Sequence, residues 1–184
     1  KLDSEFTASD GYKPLYTQKE SLAEQAQHPE TNLVLALSPP QTIIGFGVLA
    51  YPEPGERWAE LDAGVMMEVK AIEVARSWRQ AAIASRILKM VVDYPQVEDK
   101  ILYMVGYSWT WDLVGTQKTA QVYRAMLVHL FERYGFQVYE TNEPNVCLKP
   151  ANVLMCRLGS NISRQTKDRF KWLRFGLRPW AWNV

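Results

Sequence analysis

A chain of 184 residues with 47% apolar and 22% charged side chains is long enough to bury a sizeable core as one domain, without disulfides or a structural metal. A net charge of +1 excludes a global field that recruits nucleic acid or anionic membrane, and no stretch reaches the roughly 18 uninterrupted apolar residues of a membrane span. Two cysteines (Cys147, Cys156) and two histidines (His28, His129) are too few and too scattered for a zinc site or a cysteine–histidine nucleophile. They fit free thiols in a reducing cytoplasm, and no signal peptide is recognisable, so a cytoplasmic location is the expectation.

In chain order, Leu15 to Gln27 reads as a helix ending near His28-Pro29. Asn32 to Leu37 and Thr42 to Tyr51 read as strands joined by Ser38-Pro39-Pro40-Gln41. Pro52 to Glu56 is a loop, and Gly64 to Val74 is the central strand. A helix is predicted from about Trp78 to near Tyr94-Pro95, then a strand over Lys100 to Trp109. Between Thr116 and Tyr134, Ala120, Tyr123, Leu127, Leu130, Phe131 and Tyr134 recur on one side of a helix that Gly135 stops. Phe136 to Thr141 is a further strand, Ala151 to Leu158 a short element, and Ser163 to Phe175 a polar helix.

No repeat or linker divides this order. The expectation is one domain over 1–184, closed by a basic, aromatic helix and tail from about 160 to 184. From Ser160 onward, Arg164, Lys167, Arg169, Lys171, Arg174 and Arg178 stand against Asp168 alone, a local charge of +5. The fold class is α/β (α+β), with a mixed, mainly antiparallel sheet flanked by helices.

Chemistry concentrates where the central strand ends. Arg79-Gln80-Ala81-Ala82-Ile83-Ala84 opens a helix with small side chains, which leave the first-turn N–H groups accessible. Together with the helix dipole, such groups suit a phosphate or pyrophosphate. The same small residues also fit plain packing of a helix on a sheet. Arg79-x-x-Ala82-x-Ala84 resembles the pyrophosphate loop of the GNAT acetyltransferases, R/Q-x-x-G/A-x-G/A, and Leu130-Phe131-Glu132-Arg133-Tyr134-Gly135-Phe136 resembles their "L-Y-E-K-x-G-F" ending. Further motifs are similar to the acetoin-utilisation branch of that family in Gram-positive bacteria. They are Pro52-x-Pro54-x-Glu56-Arg57-Trp58, Ala71-Ile72-Glu73-Val74, Trp109-x-Trp111-Asp112-Leu113-x-Gly115-Thr116, Lys149-Pro150-Ala151-Asn152-x-Leu154-Met155 and Arg169-Phe170-x-x-Leu173-Arg174-Phe175.

The resemblance implies a GNAT fold, acetyl-CoA as cosubstrate and no metal. It also implies transfer of acetyl to a lysine of acetyl-CoA synthetase, which switches that enzyme off. The partner is then the synthetase, with no nucleic acid or membrane, and a homodimer stays open. A small-molecule amine N-acetyltransferase and a non-catalytic acyl-CoA sensor that binds the synthetase are the alternative functions.

Under this resemblance the N–H groups of Gln80 to Ala84 (Gln80, Ala81, Ala82, Ile83, Ala84) face the pyrophosphate, with Arg79 at the motif's first position. The strand edge from Ile72 to Val74 bonds the pantetheine and thioester carbonyl. An amine acceptor needs a base, and the central strand offers Glu68, favoured for its apolar neighbours, and Glu73, expected on the opposite face from the two-residue period. The competing reading makes either one a structural carboxylate, salt-bridged to Lys70 or Arg76. The family's tyrosine acid position holds Phe131, which leaves Tyr123 as the catalytic candidate and Tyr107 as another. Trp109, Trp111 and Asp112 are candidates to line a lysine channel, with Asp112 attracting the ammonium; the competing reading has the tryptophans packing and Asp112 capping the next segment.

Overall fold

Six strands, β1 (Asn32–Ser38), β2 (Thr42–Ala50), β3 (Met66–Val74), β4 (Ile101–Gly106), β5 (Gln137–Tyr139) and β6 (Val153–Leu158), form one sheet in the spatial order β1-β2-β3-β4-β6-β5. The computed structural model describes residues 1–8, 18–79 and 81–181. Among them, β3–β4 is the parallel pairing and the other four pairings are antiparallel, the mixed sheet expected from the element order. The helices are α1 (Glu5–Ala8), α2 (Lys19–Gln27), α3 (Ile83–Val92), α4 (Leu113–Thr116), α5 (Ala120–Glu132), α6 (Pro144–Cys147) and α7 (Arg164–Leu173).

Ile44 through Ala50 of β2 are all buried, because helices cover both faces of this strand. On one face, Ile87, Leu88 and Val91 of α3 pack against Val34, Leu49 and Met67. Their spacing gives α3 the apolar stripe that places it there, and each full burial contributes about 1.5–3 kcal/mol. Gly47 permits the close approach: a Cβ there would lie 2.5 Å from Ile87 Cγ2 and 2.6 Å from Val91 Cγ2. On the other face, Phe6 and Leu22 cover Phe46 and Val48, while Phe170 and Leu173 of α7 join Trp58 over Met66, Ile101 and Tyr103. The basic C-terminal helix thus packs Phe170 on the body. Its charges are partly paired, Arg169 with Asp62 at 2.5 Å and Lys171 with Asp168 at 2.8 Å, and Trp172 is half exposed.

Several element boundaries differ from the sequence expectation, each for a local reason. The helix expected from Trp78 starts at Ile83, because Arg76–Trp78 form a 3-10 turn and Ala82 adopts the left-handed conformation (φ 55°, ψ 18°). β4 ends at Gly106, since Ser108–Thr110 turn. The helix expected from Thr116 breaks at Gln117 (φ 52°) and restarts at Ala120, where Thr119 accepts the Val122 N–H at 3.3 Å. β5 spans three residues, and α2 starts at Lys19; the earlier positions 15–17 lie outside the described residues. Gly135 (φ 83°) stops α5 as the sequence indicated, and α7 begins just after Ser163, whose side chain accepts the Thr166 N–H and caps it.

Two irregularities of β3 open the sheet at its centre. Across β2, Val48 pairs with Ala71 but Leu49 pairs with Val69, so Lys70 is the extra residue of a β-bulge. Across β4, pairing ends at Glu68 opposite Tyr103, while β3 runs on to Val74 and β4 to Gly106. The two central strands part where the bulge begins.

Candidate active site

The parted strands open a cleft of about 730 Å³, within the range of small-molecule sites. Its floor is β3 from Glu68 to Glu73 and β4 from Met104 to Gly106. Trp111, Tyr123 and Phe131 wall one side, and Glu53, Glu56 and Glu143 crowd another part of the rim.

The bulge corrects the expected placement of the two carboxylates. Met67, Val69, Ile72 and Val74 join the α3 core, whereas Met66 and Ala71 join the clusters of the opposite face. One extra residue at position 70 restores the phase, so Glu68 and Glu73 share a face rather than opposing one another, and both line the cleft. Burial pushes Glu68 up to about 7, reinforced by the Glu56 charge and opposed by Lys70, whose Nζ lies 4.0 Å away. Burial also pushes Glu73 up to about 7, with Arg79 pulling the other way. Lys70 is only 6% exposed and pairs chiefly with Glu53 at 2.7 Å. The Tyr103 hydroxyl donates to Glu56 at 3.3 Å. Sequence reasoning placed neither Glu53 nor Glu56 in the site, although the Pro-Glu-Pro-Gly-Glu loop that carries them held the signal of charged residues on a stiff turn.

At the end of β3 the loop is held from two sides. Arg79 Nε donates to the Val74 carbonyl at 3.1 Å and its Nη1 to Asp112 Oδ2 at 2.7 Å. Arg76 donates to both oxygens of Asp112, at 2.8 and 2.6 Å. Ala81 and Ala82 are exposed, and Ile83 and Ala84 pack half-buried against the core. Ala82 at the N-cap has no side chain to bond the first-turn N–H groups of α3, and no acidic residue occupies that turn. The geometry fits an anion at these amides. Gln80 lies outside the described residues.

Asp112 does not face the cleft as a free carboxylate. Its side chain is 4% exposed and also accepts the Gly115 N–H at 2.9 Å, which caps α4. Burial raises its proton affinity, but the bonds from Arg76, Arg79 and Gly115 outweigh this and hold it down at about 2. The expectation that Asp112 attracts an acceptor ammonium is therefore replaced by the capping role, with a double ion pair the sequence did not show. Trp111 stacks on Tyr123, ring centroids 5.1 Å apart, and both line the cleft. Trp109 lies outside it, stacked on Tyr107 at 4.7 Å beneath Lys149 at 4.3 Å. Tyr107 does line the cleft, and burial pushes its phenol up to about 12.

A mixed sheet splayed between its central parallel strands, with an uncapped helix opening beside the split, is the architecture of the GNAT N-acetyltransferases. A crystal structure of a putative acyl-CoA N-acyltransferase from Klebsiella pneumoniae shares this fold at TM-score 0.50 and 16% identity, over 84% of this chain and 86% of that one. The acetoin utilization protein of Exiguobacterium sibiricum superposes at TM-score 0.85 with 29% identity, over 96% of this chain and 82% of that one. In sequence, the chain is 35% identical over 164 residues to acetoin utilization protein AcuA of Bacillus licheniformis, covering 89% of this chain and 78% of the relative. AcuA of Bacillus subtilis is 34% identical over the same length. No protein-family model matches the sequence. The chain belongs to the AcuA family of GNAT N-acetyltransferases.

Proposed function

We propose that this protein moves acetyl from acetyl-CoA to the ε-amine of a protein lysine, and that acetyl-CoA synthetase is the acceptor, so that the reaction regulates acetate and acetoin metabolism. The observation that carries the reading is the cleft between β3 and β4, whose lining along β3 holds a buried carboxylate poised near neutrality, on the strand that leads into the loop before the uncapped start of α3. Family membership supports the reaction class, and the resemblance to acetoin-utilisation acetyltransferases supports the acceptor.

In this reading Arg79 shapes the pyrophosphate loop and the amides from position 80 to Ala84 receive the charge. The β3 edge at Ile72 to Val74, beyond its last pair with β4, receives the pantetheine and the thioester carbonyl. A free lysine ammonium has a pKa of about 10.4, so a base is needed near pH 7. Glu68 takes that proton, and a positioned base contributes about 10²–10⁴-fold. The amine nitrogen then attacks the thioester carbonyl carbon; as the C–S bond breaks, the Tyr123 hydroxyl gives its proton to the leaving thiolate, and the phenolate regains one from the attacking nitrogen, which leaves a neutral amide and the CoA thiol. Trp111 lines the acceptor's path and Trp109 stands at its rim. Glu73 is the second candidate for the base, nearer the arginines of the loop.

The test is mass spectrometry of acetyl-CoA synthetase incubated with the protein and acetyl-CoA. A new acetyl-lysine, lost with Glu68→Gln, supports the reading. Turnover of polyamines or aminoglycosides with an unmodified synthetase would replace it with a small-molecule transferase. Inhibition of the synthetase without acetylation would replace it with an acyl-CoA sensor.

A further inference from the structure

Within the Trp-Asp-Leu-x-Gly-Thr segment, Trp111 lines the cleft while Asp112 turns away from it and grips the β3–α3 loop. Asp112 lies 36 and 33 residues from its two arginines and reaches them from the β4–α5 connection. Four donors converge on its two oxygens: Arg76 Nε and Arg79 Nη1 on Oδ2, Arg76 Nη2 and the Gly115 N–H on Oδ1, at 2.6–2.9 Å. A carboxylate offers about four lone-pair sites, so these contacts fill it. Gly115 is required by the same grip, since a Cβ there would lie 2.2 Å from Arg76 Nε and 2.4 Å from Asp112 Oδ2.

Two guanidinium groups three residues apart on one short loop repel each other, and a buried carboxylate between them removes that repulsion. It also leaves the loop one net positive charge beside the α3 N-terminus. Arg79 passes the restraint on to the Val74 carbonyl at the end of β3. We propose that Asp112 is a positioning residue of the coenzyme site, acting through Arg76 and Arg79 to hold the β3–α3 loop in the shape that receives the pyrophosphate. The proposal rests on the acetyl-CoA reading of the cleft and assigns Asp112 to the coenzyme rather than to the acceptor.

Isothermal titration with acetyl-CoA, paired with steady-state kinetics against the acceptor, separates these roles. Asp112→Asn removes the charge and one acceptor oxygen; Gly115→Ala disturbs the grip by crowding, without changing any charge. Both variants are expected to weaken acetyl-CoA binding tenfold or more and to raise the acetyl-CoA KM in step. The acceptor KM and kcat should stay within about threefold. Should Asp112→Asn fail to fold, the same split measured with Gly115→Ala decides the matter. Unchanged acetyl-CoA affinity in a variant of lowered Tm would overturn the proposal, leaving a structural ion pair. A rise in the acceptor KM alone would also overturn it and return Asp112 to the acceptor. Wild-type protein that fails to bind acetyl-CoA would instead defeat the reading of the cleft itself.

Discussion

At Glu68 the proton held near pH 7 must leave before the side chain can accept another from an amine. Activity should therefore rise as pH climbs through about 7, and the limb belongs to the free carboxylate. Glu68→Gln is expected to lower kcat/KM by about 10²–10³-fold and to abolish that limb in a pH–rate profile. Glu73 holds its proton to a similar pH, so it serves as the control: Glu73→Gln should keep the limb if Glu68 is the base, and remove it if the roles are reversed. Lys70 bears on the same proton. Its ammonium, 4.0 Å from Glu68, favours the ionised form, so Lys70→Met should move the limb to higher pH while leaving a bell or plateau above it.

Among the elements, α3 and its approach do most to place the site. Gly47→Ala would push a Cβ into Ile87 and Val91, and overpacking of this kind costs about 1–3 kcal/mol, readable as a lower urea midpoint. Ala82→Val is expected to cost about 1–2 kcal/mol, because a branched residue resists the left-handed conformation there, whereas Ala82→Gly should be neutral or stabilising. Chemical denaturation of both variants checks the pair. These elements also mark how far the sequence was readable. Apolar periodicity and turn residues gave five of the six strands, the sheet type and α3, while β6 was read only as a short element, and small residues after Arg79 marked the loop. The start of α3 was missed because nothing in Ala82 announces a left-handed backbone. The shared face of Glu68 and Glu73 was missed because a bulge changes phase without any glycine or proline to signal it. Asp112 was misplaced because a carboxylate beside tryptophans reads alike whether it waits for a ligand or is already enclosed by arginines from 33 and 36 residues away.

For the molecule as a whole, the site works against stability in one pH range. Glu68 and Glu73 keep protons in the folded state up to about 7, well above the ordinary value of 4.5 that the unfolded chain restores. Between those values the native state binds more protons, so the slope of unfolding free energy with pH is negative. Their contribution is complete below about 4.5 and is lost as pH rises through about 7. Asp112 has the opposite sign: its contribution is present above 3.8 and lost as pH falls towards 2. Urea unfolding at pH 5 and pH 8 should show the wild type losing more stability with rising pH than a Glu68→Gln/Glu73→Gln double variant. Equal losses in the two proteins would mean that neither carboxylate holds its proton in the native state.

The extra residue in β3 has a further consequence. Because side chains alternate two by two, inserting one residue normally exchanges inside for outside along the rest of a strand. At Lys70 the insertion is absorbed locally, and the pairing with β2 resumes in phase. Deletion of Lys70 would thus be a frame-keeping edit: Met66, Glu68, Ala71 and Glu73 would stay on one side and Met67, Val69, Ile72 and Val74 on the other. What the edit removes is the interruption itself. A straightened β3 would continue its ladder with β4 past Tyr103 and zip shut the split that opens the cleft. The shortened protein should then fold with its core in register and bind no acetyl-CoA, so that a single residue separates a sheet that merely holds together from one that admits a ligand.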